Sequence, residues 1–126
     1  MDSVAVLTPR EAVRQDVEAI AEIYRNLGAP VAEQMVTKAL AELALTLAAI
    51  VVKVRAQDLR DLSRQLSRLR RLAEDLGLVS LAMVAGDAQT CLERADGTAF
   101  SAVWARLLRV GERSLAPRAD QTDLSG

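Results

Sequence analysis

The chain has 126 residues, with 16 Lys and Arg, 17 Asp and Glu, one Cys, three aromatic residues and no His, which fits one ordinary domain. Without histidine there is no Ser/His or Cys/His catalytic pair, no histidine metal ligand and no phosphohistidine in this sequence. A net charge of −1 gives no reason to expect nucleic-acid binding, and a single Cys excludes an intrachain disulfide.

The apolar residues are almost entirely aliphatic. Hydrophobic residues make up 51% of the chain and aromatic residues 2%, so the core must consist of Leu, Ala, Val and Ile. Such a core suits closely packed helices, because strands prefer β-branched and aromatic residues. We therefore expect an all-α fold. The first ten residues lack the plan of a secretory signal, which favours a cytoplasmic location.

Two helices are predicted in the first half of the chain. The first begins at Thr8, a hydroxyl cap followed by proline, and ends at Gly28. The second begins near Pro30 and continues to about Arg55. Its longest apolar run, from Ala39 to Val52, contains Glu42 and has 14 residues, fewer than the ~20 residues of a membrane helix, and the part from Leu43 to Val52 is apolar on nearly every face. We expect this run to be buried, either at the centre of a bundle or partly in a dimer.

Three further helices follow. Asp58 can cap a third helix, whose leucines recur every three or four residues until Gly77 ends it in a left-handed conformation. The short connection predicts an antiparallel hairpin with a fourth helix, from about Val79 to Arg94. A fifth helix follows a turn and the cap Thr98.

These elements together predict an antiparallel four-helix bundle with an additional N-terminal helix. The domain would occupy residues 8–116, between an N-terminal segment of residues 1–7 and a disordered polar tail of residues 117–126. Cys91 lies among apolar positions with no histidine to activate it, so we interpret it as a buried side chain. The carboxylates converge on no nucleophile or phosphate-binding loop, so we expect no catalysis, no cofactor and no metal site.

A series of arginines accompanies the third predicted helix. Positions 60, 64, 68 and 71 differ by 4, 4 and 3, which predicts one exposed face of guanidinium groups opposite the leucines. The candidate docking residues are Arg60, Arg64, Ser67, Arg68, Arg70 and Arg71. One hypothesis is a docking surface for an acidic partner, because arginine makes bidentate contacts with carboxylates. The other is a solvated face moderated by Asp61, Glu74 and Asp75.

The most specific motif spans the third and fourth predicted helices. Residues 67–77 have the sequence SRLRRLAEDLG, and the next helix ends in Leu92 and Glu93. This pattern resembles the histidine-containing phosphotransfer (HPt) domain of two-component phosphorelays. That family carries a helix of approximate pattern His-x-Leu-Lys-Gly-x-Ala-x-x-Leu-Gly, followed by a helix that ends in Leu-Glu. The matching residues are Leu69, Ala73, Leu76 and Gly77. The resemblance covers roughly residues 30–115 and implies a bundle whose third helix docks a response-regulator receiver or a histidine kinase.

Two positions depart from the HPt pattern. Ser67 stands where the family has its phosphorylated histidine, and Arg71 where it has a small glycine that lets a receiver approach. Arg70 stands for the family lysine. A serine phosphate ester is not the labile phosphoramidate that a relay needs, so relay chemistry at this position is excluded. The resemblance therefore implies a non-catalytic signalling adapter that docks a receiver or kinase without carrying phosphate.

The alternative hypothesis is a homodimeric helical assembly module with no two-component partner, in which the apolar second helix packs on its symmetry mate. Both hypotheses describe a cytoplasmic protein without a nucleic-acid or membrane partner. An enzyme that binds a dianionic metabolite, as chorismate mutases do, is a third option, but the arginine and lysine spacing of that family is not found in this sequence.

Overall fold

Helices account for the regular structure of residues 13–116, the part of the chain that this computed structural model describes. They are α1 (Val17–Leu27), α2 (Ala29–Arg55), α3 (Leu62–Asp75), α4 (Val79–Glu93) and α5 (Gly97–Ser114). No strand occurs in this range, which confirms the all-α prediction. The predicted N-terminal segment 1–7, the helix start at Thr8 and the tail 117–126 lie outside the described residues.

The first described helix begins later than the sequence predicted. Residues 13–16 are not helical, and Asp16 is the N-cap of α1. Its carboxylate accepts a hydrogen bond from the backbone N–H of Glu18 at 3.0 Å, which satisfies an N–H group that has no partner inside the helix. The prediction of one continuous helix from Thr8 onward is therefore wrong.

Residues 13–16 instead lie across the turn between α3 and α4. The backbone N–H of Asp16 donates to the carbonyl oxygen of Gly77 at 2.6 Å. The backbone N–H of Arg14 donates to Ser80 Oγ, also at 2.6 Å. Gly77 has a φ of +72°, which confirms the predicted left-handed residue after α3. Hydrogen bonds at this turn thus connect residues 13–16 to the hairpin of α3 and α4.

The start of α3 differs from its prediction as well. The helix begins at Leu62, and its N-cap is Asp61, which has a left-handed backbone (φ 58°) and no capping hydrogen bond from its side chain. The Asp58 carboxylate accepts from the backbone N–H of Arg60 at 3.1 Å, so it orders the preceding turn and does not cap the helix.

The remaining helix boundaries agree closely with the sequence. α2 ends at Arg55, and α4 extends over Val79–Glu93. The cap of α5 is Asp96 and not Thr98, because the Asp96 carboxylate accepts from the backbone N–H of Ala99 at 3.0 Å.

The core consists of aliphatic side chains from α2 to α5. Its largest fully buried side chains are Leu43, Ile50, Leu62, Leu66, Leu69, Leu81, Val84, Leu107 and Val110. Burying a side chain of this size contributes about 1.5–3 kcal/mol. α1 contributes no buried residue and packs its half-buried Ile20, Ile23 and Tyr24 against the outside of this core. Successive helices pack on one another, and Leu47 of α2 lies against Gly111 of α5, so the helices form a bundle-like fold.

The apolar second helix is not enclosed by the rest of the described chain. In the most apolar 18-residue stretch of α2, only 22% of the residues are buried. The side chains of Leu45 and Val52 are 71% and 67% exposed. The prediction of a buried run from Ala39 to Val52 is therefore wrong for a single protomer. With 27 residues, α2 is long and apolar enough to cross a membrane. The core helices of soluble proteins and signal sequences can have the same length and composition.

We expect Gly77→Ala to destabilise the fold. Its positive φ costs an L side chain about 1–3 kcal/mol, and a Cβ would collide with the backbone carbonyl oxygen of Asp16. The free energy of unfolding, measured by urea titration with circular dichroism, should fall by more than about 2 kcal/mol.

Two other glycines serve as controls for this substitution. Gly28 has a φ of +80° and a ψ of 157°, a conformation that is essentially restricted to glycine, and nothing lies within 4 Å of a Cβ, so Gly28→Ala measures a backbone cost without a collision. Gly97 has open space and no positive φ, so Gly97→Ala should leave stability nearly unchanged or raise it. A loss at Gly77 below about 1 kcal/mol, the smallest cost of a strained backbone alone, would show that residues 13–16 do not press on the turn.

Candidate docking surface on the third helix

The buried residues of α3 decide where its arginines point. The buried residues are Leu62, Leu66, Leu69 and Ala73. At 3.6 residues per turn, the opposite side of the helix carries Arg64, Arg68 and Arg71, and all three are exposed. We call Arg64, Arg68 and Arg71 the arginine face. It contains three of the four positions that the sequence spacing predicted to share one side.

The arginine face borders a shallow depression of about 400 Å³, which Asp61 and Gln65 complete. Three guanidinium groups against one carboxylate make its lining positive. Within residues 13–116, Arg64 and Arg71 form neither an ion pair nor a hydrogen bond through their side chains. Two cations are therefore available to an external acidic group.

Glu42, the one carboxylate in the apolar run of α2, is the partner of the third arginine. Arg68 Nη2 donates to Glu42 Oε2 at 2.7 Å, and the two side chains are 51% and 46% exposed. An ion pair this exposed contributes about 0–1 kcal/mol. It links α3 to α2 weakly and neutralises part of the charge of the arginine face.

Ser67 is half-buried beside the arginine face, on the side of α3 that turns toward α4. One turn earlier on that side, Ser63 Oγ donates to Glu93 Oε2 at 3.0 Å and accepts from Gln89 Nε2 at 3.1 Å. These bonds join the start of α3 to the end of α4, as an antiparallel hairpin requires. Glu93 of the sequence motif therefore contacts Ser63 across the hairpin.

Arg70 belongs to a different surface from the arginine face. Its Cδ lies against Gly86 of α4, where an added Cβ would be 3.4 Å away. Its Nε is buried and has no hydrogen-bond partner among residues 13–116. The side chain lines a groove of about 410 Å³ between α3 and α4, whose walls include Asp16 and Glu74. The structure therefore separates Arg70 from the arginines with which the sequence grouped it.

Arg60 lies in the turn before α3, so the prediction that it shares a helical face with the other arginines is wrong. Its guanidinium donates to the Asp58 carboxylate through Nε at 3.0 Å and Nη2 at 3.3 Å. Hydrogen bonds from the Arg60 side chain and backbone, with the positive charges of Arg60 and Lys53, lower the pKa of Asp58 from 3.8 to about 2. The same carboxylate raises the pKa of Arg60.

Sequence reasoning missed Gln65 and Glu42 as parts of this surface. Gln65 adjoins Arg64 on α3, and helical periodicity could have placed it at the edge of the depression. Glu42 comes from another helix, and no local pattern connects it to Arg68. Within residues 13–116, no cluster of Cys, Asp and Glu is arranged to hold a metal ion.

Comparisons with protein-family models, with curated proteins and with solved structures gave no match.

We expect Asp58→Asn to remove part of the acid sensitivity of the fold. The pKa of Asp58 is lowered to about 2 from an ordinary 3.8, so its ionised form stabilises the folded state fully above about pH 4. That stabilisation is lost as the pH falls from about 4 to 2, because the unfolded chain binds the proton first. Melting temperatures between about pH 2 and 6 should therefore fall less steeply for Asp58→Asn than for the wild type.

Asp87→Asn is the matched control, because Asp87 is exposed on α4 and forms no hydrogen bond through its side chain within residues 13–116. Parallel pH curves for the wild type and Asp58→Asn would contradict the role given to the Arg60 pair.

Proposed function

We propose that the chain is a non-catalytic signalling adapter that docks a response-regulator receiver or a histidine kinase on its arginine face without carrying phosphate. The observation that carries the proposal is the exposure of Arg64 and Arg71 with no ion-pair partner in residues 13–116. Charges held at a surface in this way steer an acidic partner and select its orientation. Exposed charges of this kind contribute little to the stability of the fold.

An HPt-like four-helix arrangement is part of this proposal. In its support, α2 to α5 supply the core, α1 lies outside it, and a long helix precedes the α3–α4 hairpin. Ser67 lies near the middle of α3 and is half-buried. Arg71 stands where the HPt family has a small glycine that lets a receiver approach closely. In this proposal the Arg71 guanidinium instead forms an ionic contact with the partner.

The lack of phosphate transfer follows from the chemistry of the chain. A relay needs a side chain whose phosphorylated form is labile, and the sequence has no histidine. We propose a cytoplasmic location on the single free Cys91, which fits a reducing compartment.

A second candidate function is a homodimeric assembly module with no two-component partner. The exposure of the apolar side of α2 favours it, because soluble monomers rarely leave a continuous apolar surface in water. Charge reversal on the arginine face separates the two candidates, since assembly through α2 does not require that face.

The docking proposal predicts that Arg64→Glu combined with Arg71→Glu weakens binding of a receiver or kinase domain. We expect a loss of about 10–100-fold in affinity, because two attractive contacts become repulsive. Glu42→Gln should strengthen binding, since it releases Arg68 from its ion pair. Titration calorimetry against candidate receiver and kinase domains at low and high salt measures both effects.

Arg64→Glu and Arg71→Glu are also made singly, and Arg113→Glu is their matched control, because it makes the same charge change as each single variant at an exposed position on α5. It should leave affinity nearly unchanged. The docking surface is wrong if the double variant binds as tightly as the wild type, or if Arg113→Glu loses as much affinity as Arg64→Glu and Arg71→Glu do singly.

A further inference from the structure

One side of α2 carries a line of exposed apolar side chains. These are Ala41, Leu45, Ala48 and Val52, which we call the outer stripe. Their spacings of 4, 3 and 4 residues are those of the seam between two helices of a coiled coil. The neighbouring Ala44 and Ala49 are also exposed, so the helix backbone itself is accessible to a close neighbour.

The outer stripe lies opposite the side of α2 that enters the core. That core side carries the buried residues Leu43, Thr46 and Ile50. The exposure of the outer stripe shows that no residue between 13 and 116 covers it. Helical packing in one protomer therefore uses one side of α2 and leaves a second apolar side without a neighbour.

We propose that the outer stripe binds the same stripe of a second copy in antiparallel orientation, about a two-fold axis between Leu45 and Ala48. In this register Leu45 faces the Ala48 position of the other copy, and Ala41 faces the Val52 position. Every layer then joins one large side chain to one alanine. This alternation lets the helices approach closely without a void.

A parallel pair would fit less well. It would place Leu45 on Leu45 and Ala48 on Ala48, so crowded layers would alternate with gaps. Crowding and cavities both destabilise an interface. The alternation of large and small residues along the stripe is therefore what selects the antiparallel register.

Charge at the edge of the stripe favours a protein neighbour over lipid. Glu42 lies one turn from Leu45 and forms its ion pair with Arg68 while both side chains are about half exposed. Burial of this side of α2 in hydrocarbon would take that pair out of water, which is strongly unfavourable for two charged groups. A helix of a second copy covers the stripe and leaves the ion pair at the rim.

The area of the stripe predicts a weak, reversible dimer. From Ala41 to Val52 the helix axis rises by about 17 Å, and a helix is about 10 Å wide. Each copy therefore contributes only a few hundred Å², below the ~800 Å² of a standard interface. We expect a monomer–dimer equilibrium that depends on concentration. This inference deepens the homodimer candidate and does not depend on the arginine face.

Disulfide cross-linking tests the register directly. In a Cys91→Ser background, Ala41→Cys and Val52→Cys are prepared separately, then oxidised alone and as an equimolar mixture. The antiparallel register predicts a cross-linked species in the mixture only. Two copies of the same position would lie about 17 Å apart along the axis, beyond the ~7 Å between Cα atoms that a disulfide can bridge. Val17→Cys, 75% exposed on α1, measures cross-linking by random collision.

Efficient cross-linking of Val52→Cys with itself would overturn the antiparallel register and leave the homodimer candidate standing. Sedimentation equilibrium tests the surface itself: Leu45→Glu should be monomeric at concentrations where the wild type dimerises, and Val17→Glu should still dimerise. Circular dichroism of both variants should match the wild type, because both positions are exposed. A wild type that is monomeric at every concentration, or that sediments as a monomer with vesicles of uncharged phosphatidylcholine, would overturn self-association.

Discussion

Burial of the leucine side of α3 orients the surface on which the proposed function depends. Leu66 and Leu69 are fully buried, and truncation of such a residue to alanine costs about 2–5 kcal/mol. The ion pair between Arg68 and Glu42 contributes at most about 1 kcal/mol. Burial of the leucines therefore determines how α3 is rotated about its own axis. The arginines lie on the opposite side, which faces solvent. The arginine face is a consequence of core packing, available for recognition because the fold does not need its charges.

The two sides of α3 next to that face have different roles. Toward α4, the hydrogen bonds of Ser63 and the buried Nε of Arg70 belong to the helical hairpin. At the end of the hairpin, residues 13–16 cross the turn at Gly77 and add backbone hydrogen bonds. Ser67 lies between the hairpin seam and the arginine face. In the proposed function, Ser67 would contact the partner and would not carry a labile phosphoryl group, because serine forms a stable phosphate ester.

α2 has apolar side chains on two sides, and a single protomer buries only one of these sides. Its core side holds Leu43 and Ile50, while Leu45 and Val52 lie in solvent on the other side. Self-association through this second side would give an assembly with two arginine faces. Two linked sites bind a clustered partner more tightly than one site does, because the second contact forms at high effective concentration. The two proposals are therefore compatible, although each stands on its own residues.

The sequence by itself determined the helices, since glycines and the helical spacing of apolar residues act among residues within one or two turns. It placed the ends of α2 and α4, the turn at Gly77 and three of the exposed arginines. Tertiary structure alone decided the extended course of residues 13–16, whose bond from Arg14 to Ser80 spans 66 positions. It also moved Arg60 into a turn with Asp58, paired Glu42 with Arg68 and left half of α2 uncovered. Such outcomes depend on which distant surfaces meet, and local periodicity records only which side of a helix is apolar, not what covers it.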